Sequence, residues 1–213
     1  MGRIIDFVRL ITEENKKQNI VSRRSEDADL LLHVEDSLKV MEYMDLKDLS
    51  CIDIGSGGGF PAIPLAIKNG ETKLTLVESE GKKAEFLKAC VEQLELKNCK
   101  VFHERIEMMG RSEMWRETYD IATARGVAEM NVLLEWALPM VKVGGFFIAW
   151  KGPNLDVELE RAEGAMGLLG GILSRIEKYE LDAKARNLVF IKKIKECPEK
   201  YPRRGGLARK RPL

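Results

Sequence analysis

Asp53, Gly55, Gly57 and Gly59 stand at alternate positions in the stretch CIDIGSGGGFPAIPLAI, residues 51–67, and Glu78 closes the next apolar run. An apolar run, four glycines in five positions and an apolar segment beginning Phe60-Pro61 read as strand, tight turn and helix, with a backbone open to close approach. Three ligand classes compete for such a loop. A triphosphate loop requires G-x-x-x-x-G-K-[ST], whose lysine and hydroxyl reach phosphate and magnesium. Here Phe60 and Pro61 hold the helix start, and no lysine follows until Lys68. A dinucleotide loop requires G-x-G-x-x-G/A, and Phe60 stands where its third glycine permits close helix–strand packing. The remaining pattern, D-x-G-x-G-x-G with an acid at the end of the second strand, suits S-adenosylmethionine. That molecule has no phosphate, carries a sulfonium and an amino acid head, and offers two ribose hydroxyls to one carboxylate. Asp53 is then expected to orient the loop or a water near the ammonium, and Glu78 to take the ribose. The plainer alternatives are a turn-capping Asp53 and a solvent-facing Glu78.

Two further segments carry polar residues at expected strand ends. In FHERIEMM (102–109), Glu107 beside Ile106 is a candidate for the adenine side, against the alternative of an exposed first-turn glutamate. In YDIATARGVAEMN (119–131) there is neither the [DNS]-P-P-aromatic element used on exocyclic amines nor the cysteine that attack through pyrimidine C5 demands. A nucleophile with a free lone pair, such as guanine N7, needs neither. Holding it in line with the sulfonium methyl at about 3–3.5 Å supplies most of the acceleration. Arg125 fits that task, by clamping the target or bracing the cofactor, and a structural salt bridge is its alternative. In LLHVEDSL, His33, Asp36 and Ser37 share a helical face; they either line the mouth of a cleft or satisfy one another structurally.

These residues need a scaffold that gathers strand ends. Helical periodicity covers the first 50 residues, through Ile4, Ile5, Phe7, Val8 and Ile11 and then Leu30 to Val40. Short apolar runs at 51–54, 74–77, 99–102, 119–124 and 145–150 then alternate with helical stretches at 60–69, 82–95, 129–141 and 155–168. That alternation predicts an α/β fold with a mostly parallel sheet. Residues 171–180 and 187–195 read as two successive strands, an antiparallel hairpin at the sheet edge. The expected architecture is a single Rossmann-like domain over 1–213 with seven strands, the last antiparallel. Residues 1–48 form an N-terminal helical cap, 49–196 the core and 197–213 a basic C-terminal arm. Ligands of such sheets bind beyond the carboxyl ends of the strands, where the candidate residues fall.

The chain has 213 residues, 45% hydrophobic and 32% charged, with a formal net charge of +1. From Lys192 to Leu213, nine Lys or Arg face two Glu, a local surplus that contrasts with a slightly acidic body. Cations at that density, with one tyrosine among them, point to RNA phosphates, and a solvated charge run is the alternative. Cys51, Cys90, Cys99 and Cys197 form no C-x-x-C pair, and only His33 and His103 could assist, so no metal site is expected. No apolar run approaches the roughly 20 residues of a membrane span. MGRIIDFVRLITEENKK reads as an amphipathic helix rather than a signal peptide, and a reducing, cytoplasmic compartment is expected.

Five segments together resemble the bacterial glucose-inhibited division protein B family: HVEDSL (33–38), DIGSGGGFPAIPLA (53–66), YDIATARGVA (119–128), AWKG (149–152) and YPRRGG (201–206). The similarity runs from about residue 15 onward. It implies a Rossmann-like, S-adenosylmethionine-dependent methyltransferase that modifies N7 of one guanine in the 530 loop of 16S ribosomal RNA in the small ribosomal subunit; a monomer is expected alongside, without support from the resemblance. By the same resemblance Gly55 and Phe60 match cofactor-loop positions, Ile106 and Glu107 the adenine-side pair, and Arg125 the arginine after the fourth strand. Two segments depart from the family pattern. Gly126-Val127-Ala128-Glu129-Met130 stands where Ala-Val-Ala-Pro-Leu is common, and Ala208-Arg209 where a proline is usual. A methyltransferase with another acceptor, or a non-catalytic RNA-binding assembly factor, are the competing readings.

Overall fold

The computed structural model describes residues 2–21 and 27–213; residues 22–26, inside the expected cap, lie outside it. Seven strands form one mostly parallel sheet in the order β3-β2-β1-β4-β5-β7-β6. The chain divides into two compact units, one ending at His103 and one beginning at Glu104.

The first unit opens with helices α1 (Gly2–Asn15) and α2 (Asp27–Leu38). α1 buries Phe7, Val8 and Ile11, and α2 buries Leu30, Val34 and Ser37, spacings that mark one face of a helix. Thr12 Oγ1 donates to Asp27 Oδ1 across 2.7 Å, tying the start of α2 to α1. Strands β1 (Ser50–Ile54), β2 (Lys73–Glu78) and β3 (Cys99–His103) pair in parallel. β2 is buried without interruption from Leu74 to Glu78, the pattern of a strand covered on both faces. Between them run α3 (Ala62–Lys68) and α4 (Gly81–Gln93). α3 tolerates Pro64 because the amides of a helix's first turn have no intrahelical acceptor to lose. The expected start at Phe60 therefore moves two residues on.

The second unit contains the short helix α5 (Ile106–Met109), β4 (Tyr119–Arg125), α6 (Met130–Ala137), β5 (Val141–Lys151), α7 (Leu155–Leu168), β6 (Gly171–Leu181), β7 (Lys184–Lys193) and a final turn of helix, α8 (Leu207–Lys210). β4 and β5 pair in parallel, while β7 lies antiparallel to both β5 and β6. Every residue of α6 is buried. α6 ends earlier than its apolar pattern predicts because Pro139 cannot continue it, and β5 begins at once. β5 then bulges. Tyr119 faces Val141, but Ile121 already faces Phe146, and Gly144 within the bulge has φ +92°. The β6–β7 hairpin is tighter than expected, with Asp182 and Ala183 both at positive φ between Leu181 and Lys184.

Candidate functional site

In the first unit the loop after β1 continues the parallel ladder, since Gly55 N–H and Ser56 N–H both donate to Val77 O, at 2.9 and 3.1 Å. It then turns through left-handed backbone at Gly55 (φ +67°), Gly57 (+52°) and Gly59 (+91°), closed by Gly59 N–H to Ser56 O at 2.7 Å. Its glycines serve different ends. A Cβ on Gly58 would lie 2.8 Å from Val21 Cγ1, and one on Gly59 would lie 2.7 Å from Ile63 Cγ1 and 3.2 Å from Phe7 Cζ. These two let the protein's own core approach the loop from below. Around Gly57, by contrast, a Cβ would meet only Gly55 O within 4 Å, so this is the open face.

Glu78 sits at the end of β2, buried to 7% exposure, which sets aside the solvent-facing alternative. Its Oε2 accepts Gly57 N–H at 2.9 Å and its Oε1 accepts Glu80 N–H at 2.8 Å. The electrostatic consequence is specific. The apex amide of the glycine loop, which a phosphate cradle would leave free for an anion, already serves a carboxylate. A phosphate approaching Gly57 would meet like charge, whereas hydroxyls or a cation would be accepted. Asp53, 1% exposed, lies at the base of the loop, with its backbone carbonyl accepting Ser56 Oγ at 3.2 Å.

Phe60 faces the interior of this unit. Its ring is 5.2 Å from that of Phe7, edge to face, and 5.5 Å from that of His33. Its part in the loop is to anchor it, leaving backbone rather than ring toward any ligand. His33 belongs to the same cluster, its carbonyl accepting Ser37 Oγ at 2.7 Å, with Asp36 and Ser37 buried beside it.

In the second unit Ile106 and Glu107 are both buried at the start of α5, so Glu107 is not an exposed first-turn residue. Arg105 Nη2 donates to Glu107 Oε1 at 3.1 Å. Arg125 ends β4 half-buried, opposite Trp150 of β5. The loop that follows it is held from several sides. Lys151 Nζ donates to Ala128 O at 2.8 Å and pairs with Glu158, whose Oε2 accepts Met130 N–H at 2.9 Å. Arg209 Nη2 donates to Val127 O at 3.1 Å. Sequence reasoning placed none of these groups on this loop. Lys151 stood inside a recognisable segment, but its partner Ala128 is 23 positions earlier and Glu158, seven positions on, lies in the next helix.

The basic arm is a strap docked on the second unit, not a free tail. Arg116 donates to the carbonyls of Cys197 and Tyr201 at 2.6 and 2.7 Å, and Arg111 to that of Pro202 at 3.1 Å. Arg203 meets the fully buried Glu135 through its side chain and its backbone N–H, the latter at 2.7 Å. Lys193 is also buried, its ammonium shared by Glu117 Oε1 at 2.7 Å and the carbonyls of Leu138 and Val141; burial lowers its pKa, and Glu117 opposes that shift. Of the nine cations counted in the sequence, Lys193 and Arg203 are thus occupied internally, and Arg209, though exposed, is engaged on Val127. Lys192, Lys195, Lys200, Arg204, Lys210 and Arg211 remain exposed.

Among the described residues no group of three or more His, Cys, Asp or Glu could hold a metal ion, and no helix is long and apolar enough to cross a membrane. The family model described as rRNA small subunit methyltransferase G matches residues 2–196. Ribosomal RNA small subunit methyltransferase G of Syntrophomonas wolfei is 44% identical over 208 residues, covering 97% of both chains. The protein of the same name from Carboxydothermus hydrogenoformans is 43% identical over 97% of this chain and 89% of its own. Among solved structures, a SAM-dependent O-methyltransferase from Thermotoga maritima superposes with TM-score 0.60 at 17% identity, over 76% of this chain and 66% of that one. TYW2 of M. jannaschii in complex with AdoMet superposes with TM-score 0.59 at 17% identity, over 76% and 77%.

Proposed function

The chain belongs to the rRNA small subunit methyltransferase G family, and from that premise we propose that it transfers a methyl group from S-adenosylmethionine to N7 of a guanine in the 530 loop of 16S ribosomal RNA. The observation that carries the cofactor reading is the Glu78 carboxylate on the Gly57 amide, which suits a ligand of hydroxyls and positive charge and opposes a phosphate. S-adenosylmethionine supplies the electrophilic methyl on its sulfonium.

The chain's own residues divide the remaining work. Glu78 accepts the ribose hydroxyls, and Asp53, Gly55 and Gly57 border the amino acid end, with Phe60 anchoring the loop behind them. Ile106 and Glu107 serve the adenine side. Arg125 positions the target or braces the donor. Guanine N7 carries its lone pair in the ring plane, so no residue need remove a proton before transfer, and orientation is the main catalytic demand. Cations left exposed on and beside the strap, such as Lys195, Arg204 and Lys210, neutralise RNA phosphates. The enzyme acts as a monomer, in the cytoplasm where its substrate is found.

Borohydride and aniline break RNA at N7-methylguanine, so 16S ribosomal RNA from cells with and without the gene provides the test. One cleavage in the 530 loop that disappears with the gene is expected, and an unchanged pattern overturns the target. Calorimetric binding of S-adenosylmethionine separates the enzyme from a non-catalytic assembly factor, which would show none.

A further inference from the structure

The two segments in which the sequence departs from the family pattern, 126–130 and 208–209, meet in the second unit. Arg209 leaves α8 and crosses to the loop after β4, where its Nη2 donates to Val127 O at 3.1 Å. Its guanidinium carbon lies 5.0 Å from the centroid of Trp136, which is 5% exposed on α6. The base from which Arg209 projects is fixed. Ala208 is fully buried, Arg203 is anchored on Glu135, and Arg203 Nη2 also donates to Arg211 O at 2.8 Å, closing the segment 203–211 on itself. The carbonyl next to that of Val127 belongs to Ala128 and is held by Lys151 at 2.8 Å. Two consecutive carbonyls just beyond Arg125 are therefore gripped by cations from different elements, and the strap supplies one of them.

We propose that Arg209 is a positioning residue, a clasp by which the docked strap sets the loop that presents Arg125. This rests on the methyltransferase reading above. Arg209 is as exposed as Arg204, Lys210 and Arg211 on the same segment, but the clasp sets it apart by turning its guanidinium onto Val127 and Trp136. RNA held by those exposed cations bears on the same short segment that holds the loop.

Arg209→Met and Arg209→Lys are compared with the unmodified chain, using ribosomal RNA as substrate over a range of salt and amide exchange of residues 126–130 without RNA. Arg209→Met is expected to lower kcat about fivefold, the factor of one lost hydrogen bond. It leaves KM for RNA and its salt dependence unchanged, and it speeds exchange in 126–130. Arg209→Lys, which still reaches with a donor, recovers most of kcat. An unchanged kcat with raised KM and a salt slope shallower by about one makes Arg209 a phosphate contact and overturns the proposal. If the unmodified chain does not methylate ribosomal RNA, the functional reading fails instead. Amide exchange then still decides the clasp: faster exchange in Arg209→Met upholds it, and unchanged exchange overturns it.

Discussion

Glu78 at the end of β2 receives the backbone N–H of Gly57 at 2.9 Å, so the acid and the glycine loop, 21 residues apart, form one unit rather than two independent ligand contacts. The same carboxylate fixes Glu80 N–H at 2.8 Å. It thereby sets both the loop after β1 and the entry to α4.

Glu78→Ala should lower affinity for S-adenosylmethionine about 10- to 100-fold, the range for losing hydrogen bonds to a charged acceptor. Glu78→Gln, which keeps one carbonyl oxygen for Gly57, should lose less. Titration calorimetry reads both, and an unchanged affinity in Glu78→Ala would remove the ribose role.

Gly57→Ala and Gly59→Ala should part company. At Gly59 a methyl lies 2.7 Å from Ile63 Cγ1 on left-handed backbone, so overpacking adds to strain and about 2–4 kcal/mol of stability is lost. At Gly57 the space is open and only the backbone term of about 1–2 kcal/mol applies, but the methyl stands on the open side of the loop, where the proposed cofactor would approach. Urea unfolding is expected to show the larger loss in Gly59→Ala, and calorimetry a greater loss of cofactor affinity per unit of stability in Gly57→Ala.

Breaking the strap's anchor should destabilise the second unit. Arg203→Ala leaves the fully buried Glu135 without its counter-ion, at a cost of about 3–5 kcal/mol. Arg204 and Lys210 should then become early tryptic sites. Limited proteolysis that leaves the strap as resistant as in the parent chain would show that other contacts hold it.

Burial pushes the thiols of Cys90 and Cys99 up to about 12. A group whose folded pKa is raised contributes stability that is complete below its unfolded value, here 9.0, and is lost as pH climbs toward the folded value. Stability should therefore fall between pH 9 and 12, by at most about 1.4 kcal/mol per pH unit for each thiol. The double variant Cys90→Ala/Cys99→Ala should show a shallower alkaline slope in urea melts, whatever its offset at neutral pH.

Local patterns made the core legible. β1, its glycine loop and β2 are runs of adjacent residues, and Glu78 is marked by ending one of them. What escaped depends on partners far along the chain or on rare backbone. Nothing near Asp182 and Ala183 signals a two-residue turn, because both take positive φ without a glycine. The helix before β5 stops at Ala137, four residues before its apolar pattern ends, and the bulge within β5 has no marker in the sequence beyond Gly144-Gly145. The strap's basic composition suggested solvent or RNA, yet Arg203 finds its acid 68 positions earlier on α6, in a segment that reads only as apolar. Glu107 was singled out by position, but its burial was not foreseeable from a four-residue helix.

Gly58 rests on Ile20 and Val21, with Gly59 against Phe7 and Ile63. The dimensions of the glycine loop are thus set by Phe7 of α1, by the Ile20–Val21 segment beyond that helix and by Ile63 of α3. Anyone reshaping this loop to accept a bulkier alkyl donor would have to begin at Val21 and Phe7, since a change confined to the glycines has no room to move downward.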